Sequence, residues 1–183
     1  MLKRAIILAT LVFLTSCGVK TQINENGRIA SGKLKNGQKA GNWTITKDGK
    51  IFGIGRYKNG KEDGIWKYYY PNGSLHQKGK FINGKGNGLW KYYYSDGNFM
   101  GEGEQINDKQ IDLWKWYHKN GKIYTERFYE DGKLLEIKSC FDKDGKKLDC
   151  GKVVNGNGYM LSHDLENYEN QPSKFEFENG NIK

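Results

Sequence analysis

Gly64-Ile65-Trp66-Lys67-Tyr68-Tyr69-Tyr70-Pro71-Asn72-Gly73 returns as Gly88-Leu89-Trp90-Lys91-Tyr92-Tyr93-Tyr94-Ser95-Asp96-Gly97. A third copy is Asp112-Leu113-Trp114-Lys115-Trp116-Tyr117-His118-Lys119-Asn120-Gly121, and a weaker one is Gly41-Asn42-Trp43-Thr44-Ile45-Thr46-Lys47-Asp48-Gly49. Their first tryptophans stand at 43, 66, 90 and 114, steps of 23, 24 and 24 residues. A fixed period of this size marks a repeat array.

Two sets of turn signals punctuate the period. One runs Asn36-Gly37, Asn59-Gly60, Asn83-Gly84, Asn107-Asp108, Asp131-Gly132, Asn155-Gly156, Asn179-Gly180. The other runs Asp48-Gly49, Asn72-Gly73, Asp96-Gly97, Asn120-Gly121, Asp144-Gly145. These dipeptides tolerate the positive φ of tight hairpins. Each unit therefore reads as one β-hairpin. Strand alternation puts Trp66, Tyr68 and Tyr70 on one face and Ile65, Lys67 and Tyr69 on the other. Glycines of the partner run, such as Gly79, Gly101 and Gly103, leave room for a neighbouring ring to lie on the backbone. A lone two-stranded hairpin is marginal in water, so the units must lean on each other. The expected fold is all-β: a linear array of antiparallel hairpins in an elongated, twisted, single-layer sheet. The repeats span 28–157. Residues 158–183 read as a degenerate cap, because the Trp position becomes Lys138 and then Ser162.

The chain has 183 residues and a formal net charge of +9. Residues 31–100 carry 13 Lys and Arg against 4 Asp and Glu, whereas residues 101–183 carry 13 against 16. The basic half would attract acidic partners such as a protein or an anionic glycan or lipid.

Lys3 and Arg4 precede the ten-residue apolar run Ala5–Leu14, which is too short to span a bilayer and reads as a secretory signal over 1–16. Leu14-Thr15-Ser16-Cys17 resembles the bacterial lipobox. The resemblance implies cleavage before Cys17 and acylation of its thiol, with residues 17–27 as a tether. Gly18 in place of Asp favours the outer membrane. Cys140 and Cys150 then remain as an even pair in an exported chain, which reads as a disulfide, with two free thiols as the alternative. A three-residue loop at 144–146 would set them directly opposite each other.

The pattern Gly-x-Trp-Lys-Tyr-Tyr-Tyr-x-Asn/Asp-Gly, followed by Gly-x-Tyr/Phe-x-Asn-Gly-Lys, resembles the MORN repeat in its bacterial variant form. That resemblance covers about residues 26–157. It implies hairpins joined edge to edge and a scaffold for proteins or lipids without catalytic residues. Bacterial members are often labelled antitoxin-like, a role that an exported chain could fill only outside the cytoplasm.

The chemistry-bearing residues point the same way. Glu102, Glu104 and Glu126 lie on neighbouring runs but read as partners of Lys80 and Lys91. His76, His118 and His163 show no metal-ligand spacing. No nucleophile or phosphate-loop motif is present. No enzyme activity, cofactor or metal is expected, and an anchored chain is not expected to meet nucleic acid. Three binding readings follow. The sheet is a scaffold; or Trp66, Trp90, Trp114 and Trp116 stack on a glycan or peptidoglycan; or Lys67, Lys91 and Lys115 form a basic rail for a protein.

Overall fold

The computed structural model of the protein describes residues 21–163 and 171–183. Cys17 and the signal segment 1–16 lie outside the described residues. Within them the elements are strands: β1 (Thr21–Glu25), β2 (Arg28–Lys35), β3 (Gln38–Lys47), β4 (Lys50–Lys58), β5 (Lys61–Glu62), β6 (Gly64–Tyr69), β7 (Leu75–Ile82), β8 (Lys85–Tyr93), β9 (Phe99–Ile106), β10 (Lys109–Tyr117), β11 (Ile123–Glu130), β12 (Lys133–Cys140), β13 (Gly151–Val154), β14 (Asn157–Ser162), β15 (Ser173–Glu178) and β16 (Asn181–Ile182). Strands β1 to β12 form one open antiparallel meander in chain order, with the short β5 paired to β4. Strands β13 to β16 form a second, four-stranded sheet.

The same dipeptides build two kinds of turn. At the narrow turns both residues are left-handed, as in Asn36-Gly37 (φ 51° and 73°) and Asn83-Gly84 (53° and 80°), which is the type I′ geometry. Asp48-Gly49 belongs with them (51° and 74°). The wide turns, such as Pro71–Gly73, hold three residues, and only the glycine is left-handed (Gly73, 88°). There the Tyr70 N–H donates to Ser74 O and the Gly73 N–H to Tyr70 O. The freed Asn72 side chain accepts the Ser74 N–H at 3.0 Å. Narrow turns also tie each unit to the one before it: the N–H groups of Gly60, Gly84 and Gly132 donate to the carbonyls of Lys39, Glu62 and Gln110.

Left-handed residues also stand two places before each repeat tryptophan: Gly41 (70°), Gly64 (86°), Gly88 (76°) and Asp112 (56°). This explains the glycine of the Gly-x-Trp motif, since an L side chain there is strained. A methyl group on Gly88 would meet nothing within 4 Å. Gly88→Ala should therefore cost about 1–2 kcal/mol from backbone strain alone, read as a lower urea midpoint. Gly88→Asp should cost less, because Asp112 already holds this conformation one repeat on.

Register aligns the large side chains in a transverse row. Trp43 pairs with Gly55, Trp66 with Gly79 and Trp90 with Gly103. The next tryptophan lies over each glycine: a methyl group on Gly55 would fall 2.1 Å from the Trp66 ring, and one on Gly79 2.2 Å from Trp90. Aromatic edges close the row, with Tyr57 5.1 Å from Trp66 and Phe81 5.2 Å from Trp90, both near perpendicular. Trp43, Trp66 and Trp114 are at most 1% exposed although the sheet is one layer thick. The Trp66 and Trp114 indoles donate to Arg56 O and Glu104 O at 3.1 Å. Among the described residues the buried Trp90 indole N–H has no partner.

Four expectations are corrected. The tether does not reach Gly27, because β1 pairs with β2 through a narrow turn at Asn26-Gly27, Ile23 packs on the buried cluster, and Glu25 binds Lys39 at 2.8 Å. The terminal unit begins at Gly151 rather than at residue 158. Lys138 does not succeed Trp114, because the register shifts between Glu126 and Arg127 and pairs Ile137 with Arg127. Cys140 and Cys150 are disulfide-bonded, but not directly opposite each other. The loop is 143–145, so Cys140 O accepts from Leu148 N–H and Phe141 faces Lys147. Asp142 Oδ1 holds that loop by accepting from Asp144 N and Lys146 N.

The small sheet seals the far end of the meander. Leu134 of β12 is buried with Val153, Met160 and Phe177, and Ile137, Tyr129 and Phe175 lean on them. Main-chain bonds join the two sheets, from Leu134 N–H to Gly180 O and from Gly156 N–H to Leu135 O, both 3.1 Å. The disulfide sits beside this junction with Tyr124, Trp116 and Leu148. Cys150→Ser should lower stability by about 2–3 kcal/mol, as expected for a short closed loop. Hydrogen exchange should rise first in β13–β16.

Candidate functional site

The ring face is packing. Trp66, Trp90 and Trp114 are buried, so stacking of a glycan on these three indoles is not available in this fold, whereas Trp116 is half-buried. Burial also holds the neighbouring phenols neutral: Tyr68 is pushed up to about 12, mainly by burial and then by the Glu62 carboxylate. Tyr57 is raised further by burial, by Glu62 charge and by a hydrogen bond to Glu62.

No described residue covers the apolar side chains of the opposite face. Ile65 (58% exposed), Leu89 and Leu113 recur there beside Lys67, Lys91 and Lys115. The expected rail of three lysines is altered by its neighbours. Lys91 lies 3.1 Å from Glu102, and Lys115 lies 3.9 Å from Glu126. Lys78, which the sequence reading passed over, pairs in register with both Lys67 and Lys91. Three lysines thus sit on adjacent strands about 4.8 Å apart, well inside a Debye length of about 10 Å. Like charges placed so repel each other. Among the described residues neither Lys67 nor Lys78 has a carboxylate at ion-pair distance, although Lys78 lies 5.9 Å from the Tyr93 ring centroid.

A third feature lies along the wide turns. Tyr70 OH donates to Tyr93 O at 2.9 Å, Tyr94 OH to Tyr117 O at 2.6 Å, and His118 Nε2 meets Phe141 O at 2.8 Å. Equivalent residues thus bind the carbonyl 23 residues on. Asn72 and Asn120 do the same from their amides, to Ser95 O and Lys143 O. The His76 ring packs at a tilt against Tyr70, 4.5 Å between centroids, and its burial lowers its imidazole pKa. Tyr70, Tyr94, His118, Lys119, Asn120 and Lys143 line a cleft of about 600 Å³.

The remaining polar residues are tied into the sheet. Glu126 binds Lys115 and accepts from Ser139 Oγ at 3.0 Å, and Glu102 binds Lys91. Glu104 is exposed and pairs in register with Leu89 and Ile111. His163 Nε2 meets Asp149 O at 2.7 Å. Among the described residues no three His, Cys, Asp or Glu side chains gather as a metal site.

The model of the MORN repeat variant matches residues 62–83 and 113–131. The first match spans β6 and β7 with the turns that bound them, and the second runs from Leu113 through β11 to the narrow turn at Asp131. No curated protein matches the chain.

Proposed function

We propose that this chain is a non-catalytic binding scaffold held at the cell envelope by acyl chains on Cys17, and that its uncovered sheet face captures an acidic protein. MORN repeats generally mediate binding or scaffolding, and two segments here match their variant model. The observation that carries the reading is the run Lys67–Lys78–Lys91, flanked by exposed Ile65 and Leu89. An apolar strip that no described residue covers, beside like charge that only Glu102 relieves, is a surface that gains from being covered by an acidic, partly apolar partner.

The address rests on the lipobox-like Leu14-Thr15-Ser16-Cys17 and on the basic n-region. The disulfide at Cys140 and Cys150 agrees with an oxidising compartment. An immunity-like role outside the cytoplasm is a special case of the same binding.

The test is capture from envelope extracts by the full chain immobilised in detergent, followed by titration of the purified partner. Lys67→Glu with Lys78→Glu should weaken that partner's binding at least tenfold and flatten its salt dependence. A complex that ignores both substitutions removes the face from the account.

A further inference from the structure

We propose that Asn26 and Asn36 are sites of spontaneous covalent modification, where the side-chain amide is lost as ammonia, and that the array protects its other Asn-Gly turns. The inference uses neither the lysine face nor the acyl anchor.

The reaction needs only the turn and water. The main-chain nitrogen of the following glycine attacks the asparagine Cγ. A C–N bond forms, the amide nitrogen leaves as ammonia with the proton of the glycine N–H, and a cyclic succinimide remains. Water then opens the ring at either carbonyl, giving aspartate or isoaspartate. Nothing is oxidised or reduced. Glycine favours the attack because it has no Cβ to shield its nitrogen. A glycine N–H that is donating to a carbonyl must first give up that bond. One packed away from water must first be opened to it.

The turns differ in this one respect. Those at Asn26, Asn36, Asn59 and Asn83 share one backbone form, with asparagine φ of 51° to 53° and glycine φ of 73° to 80°. Gly60 N–H donates to Lys39 O at 3.0 Å, and Gly84 N–H to Glu62 O at 2.8 Å. At the far end Gly156 and Gly180 are buried, and their N–H groups donate to Leu135 O and Gly156 O. In the wide turns Gly73 N–H donates to Tyr70 O and Gly121 N–H to His118 O. The Asn72 and Asn120 amides are themselves held, by Ser95 O and Lys143 O. Asn26, Gly27, Asn36 and Gly37 are all exposed, and among the described residues no carbonyl accepts from Gly27 or Gly37 N–H. Position explains the difference. The inter-unit bonds of Gly60 and Gly84 run back to the preceding hairpin, and no described hairpin precedes β1 and β2.

The consequence falls on β1. Aspartate at position 26 would keep the turn, since Asp48-Gly49 already holds that geometry (51° and 74°). Isoaspartate routes the main chain through the side-chain methylene. The two-residue loop then gains a backbone atom, and the closing pair of Glu25 with Arg28 loses its register. Strand β1 lets go of β2, taking Ile23 off the buried cluster and Glu25 away from Lys39. Strand β2 is left as the edge.

The test holds the full chain in detergent in mildly alkaline buffer and follows amide loss at each asparagine by peptide mass mapping. Asn26 and Asn36 should react at least tenfold faster than Asn59, Asn83, Asn155 and Asn179, giving both aspartate and isoaspartate. In guanidinium chloride the rates should converge, because every site is then an open Asn-Gly. Aged chain carrying isoaspartate at position 26 should show faster hydrogen exchange in β1 and β2, whereas Asn26→Asp should exchange like the unaged protein. Equal rates at all these sites in the folded chain overturn the proposal. So does a difference that persists in guanidinium chloride, which would place its cause in local sequence instead of the fold. Unchanged exchange in the isoaspartate form overturns the release of β1.

Discussion

Trp66→Ala is expected to cost about 3–5 kcal/mol, the range for truncating a fully buried large aromatic, and to loosen more than its own hairpin. Trp66 is fully buried, and two units meet on it. It lies over Gly55 of β4, faces the edge of Tyr57, stacks with Tyr68 at 5.8 Å, and meets Phe81 of β7 at 6.3 Å. Its N–H satisfies Arg56 O. A one-dimensional array transmits such a loss to its neighbours. Hydrogen exchange should therefore rise from β3 through β8, not only in β6 and β7, and the urea transition should broaden. A loss confined to β6–β7 would refute the shared row. Trp90 supplies the contrast. Its indole N–H is buried without a partner among the described residues, a state that carries a penalty of about 1–3 kcal/mol. Trp90→Phe removes that donor, so it should be nearly neutral, while Trp66→Phe forfeits a made hydrogen bond and should cost distinctly more.

The period, the hairpins and the Trp–Gly partnership were legible because each is local. Asn-Gly and Asp-Gly mark turns wherever they occur, and a glycine opposite a large ring reports on its own strand pair. Register is not local, and the misses at Lys138 and at the cysteine pair trace to it. An extra residue opposite Glu126 and Arg127 moves Lys138 out and brings Ile137 in, though a count of 24 from Trp114 lands on Lys138. A one-residue difference in the 143–145 loop offsets Cys140 from Cys150. Lys78 was missed as a neighbour of Lys67 and Lys91 because it lies on the glycine-bearing run, outside the repeated motif. The strand at Thr21–Glu25 did carry a signal, since Asn26-Gly27 belongs to the same turn chemistry as Asn36-Gly37. The polar composition of that stretch hid it.

The binding surfaces follow from the same geometry. A single-layer sheet that buries its tryptophan row on one face leaves the other more open, so the exposed Ile65 and Leu89 and the crowded lysines are consequences of the fold. The wide turns add a third surface, because their three-residue loops free Asn72 and Asn120 to reach the next unit. Tyr70 and Tyr94 then become inter-unit struts, each hydroxyl fixed to the main chain of the next unit.

Gly55→Ala should cost roughly as much as a severe overpacking mutation, about 3 kcal/mol, for one added methyl group. The position has an ordinary strand φ, so nothing is lost in backbone conformation. The whole penalty is contact: the methyl carbon would lie 2.1 Å from the Trp66 ring, which cannot retreat because Tyr57 and Phe81 hold it from either side. Gly53, two residues away on the same strand, is the control. A methyl there would sit 3.2 Å from the edge of Tyr68, a half-buried ring that needs to give by only a few tenths of an ångström. Gly53→Ala should therefore cost less than about 1 kcal/mol, below the usual overpacking range. Urea midpoints for the two variants decide the matter, with indole emission as a second readout: Gly55→Ala should shift it to the red as Trp66 is pushed toward water. Equal costs at the two glycines would mean that the sheet can shift its strands apart, and the packed Trp–Gly row would then not be what holds neighbouring hairpins together.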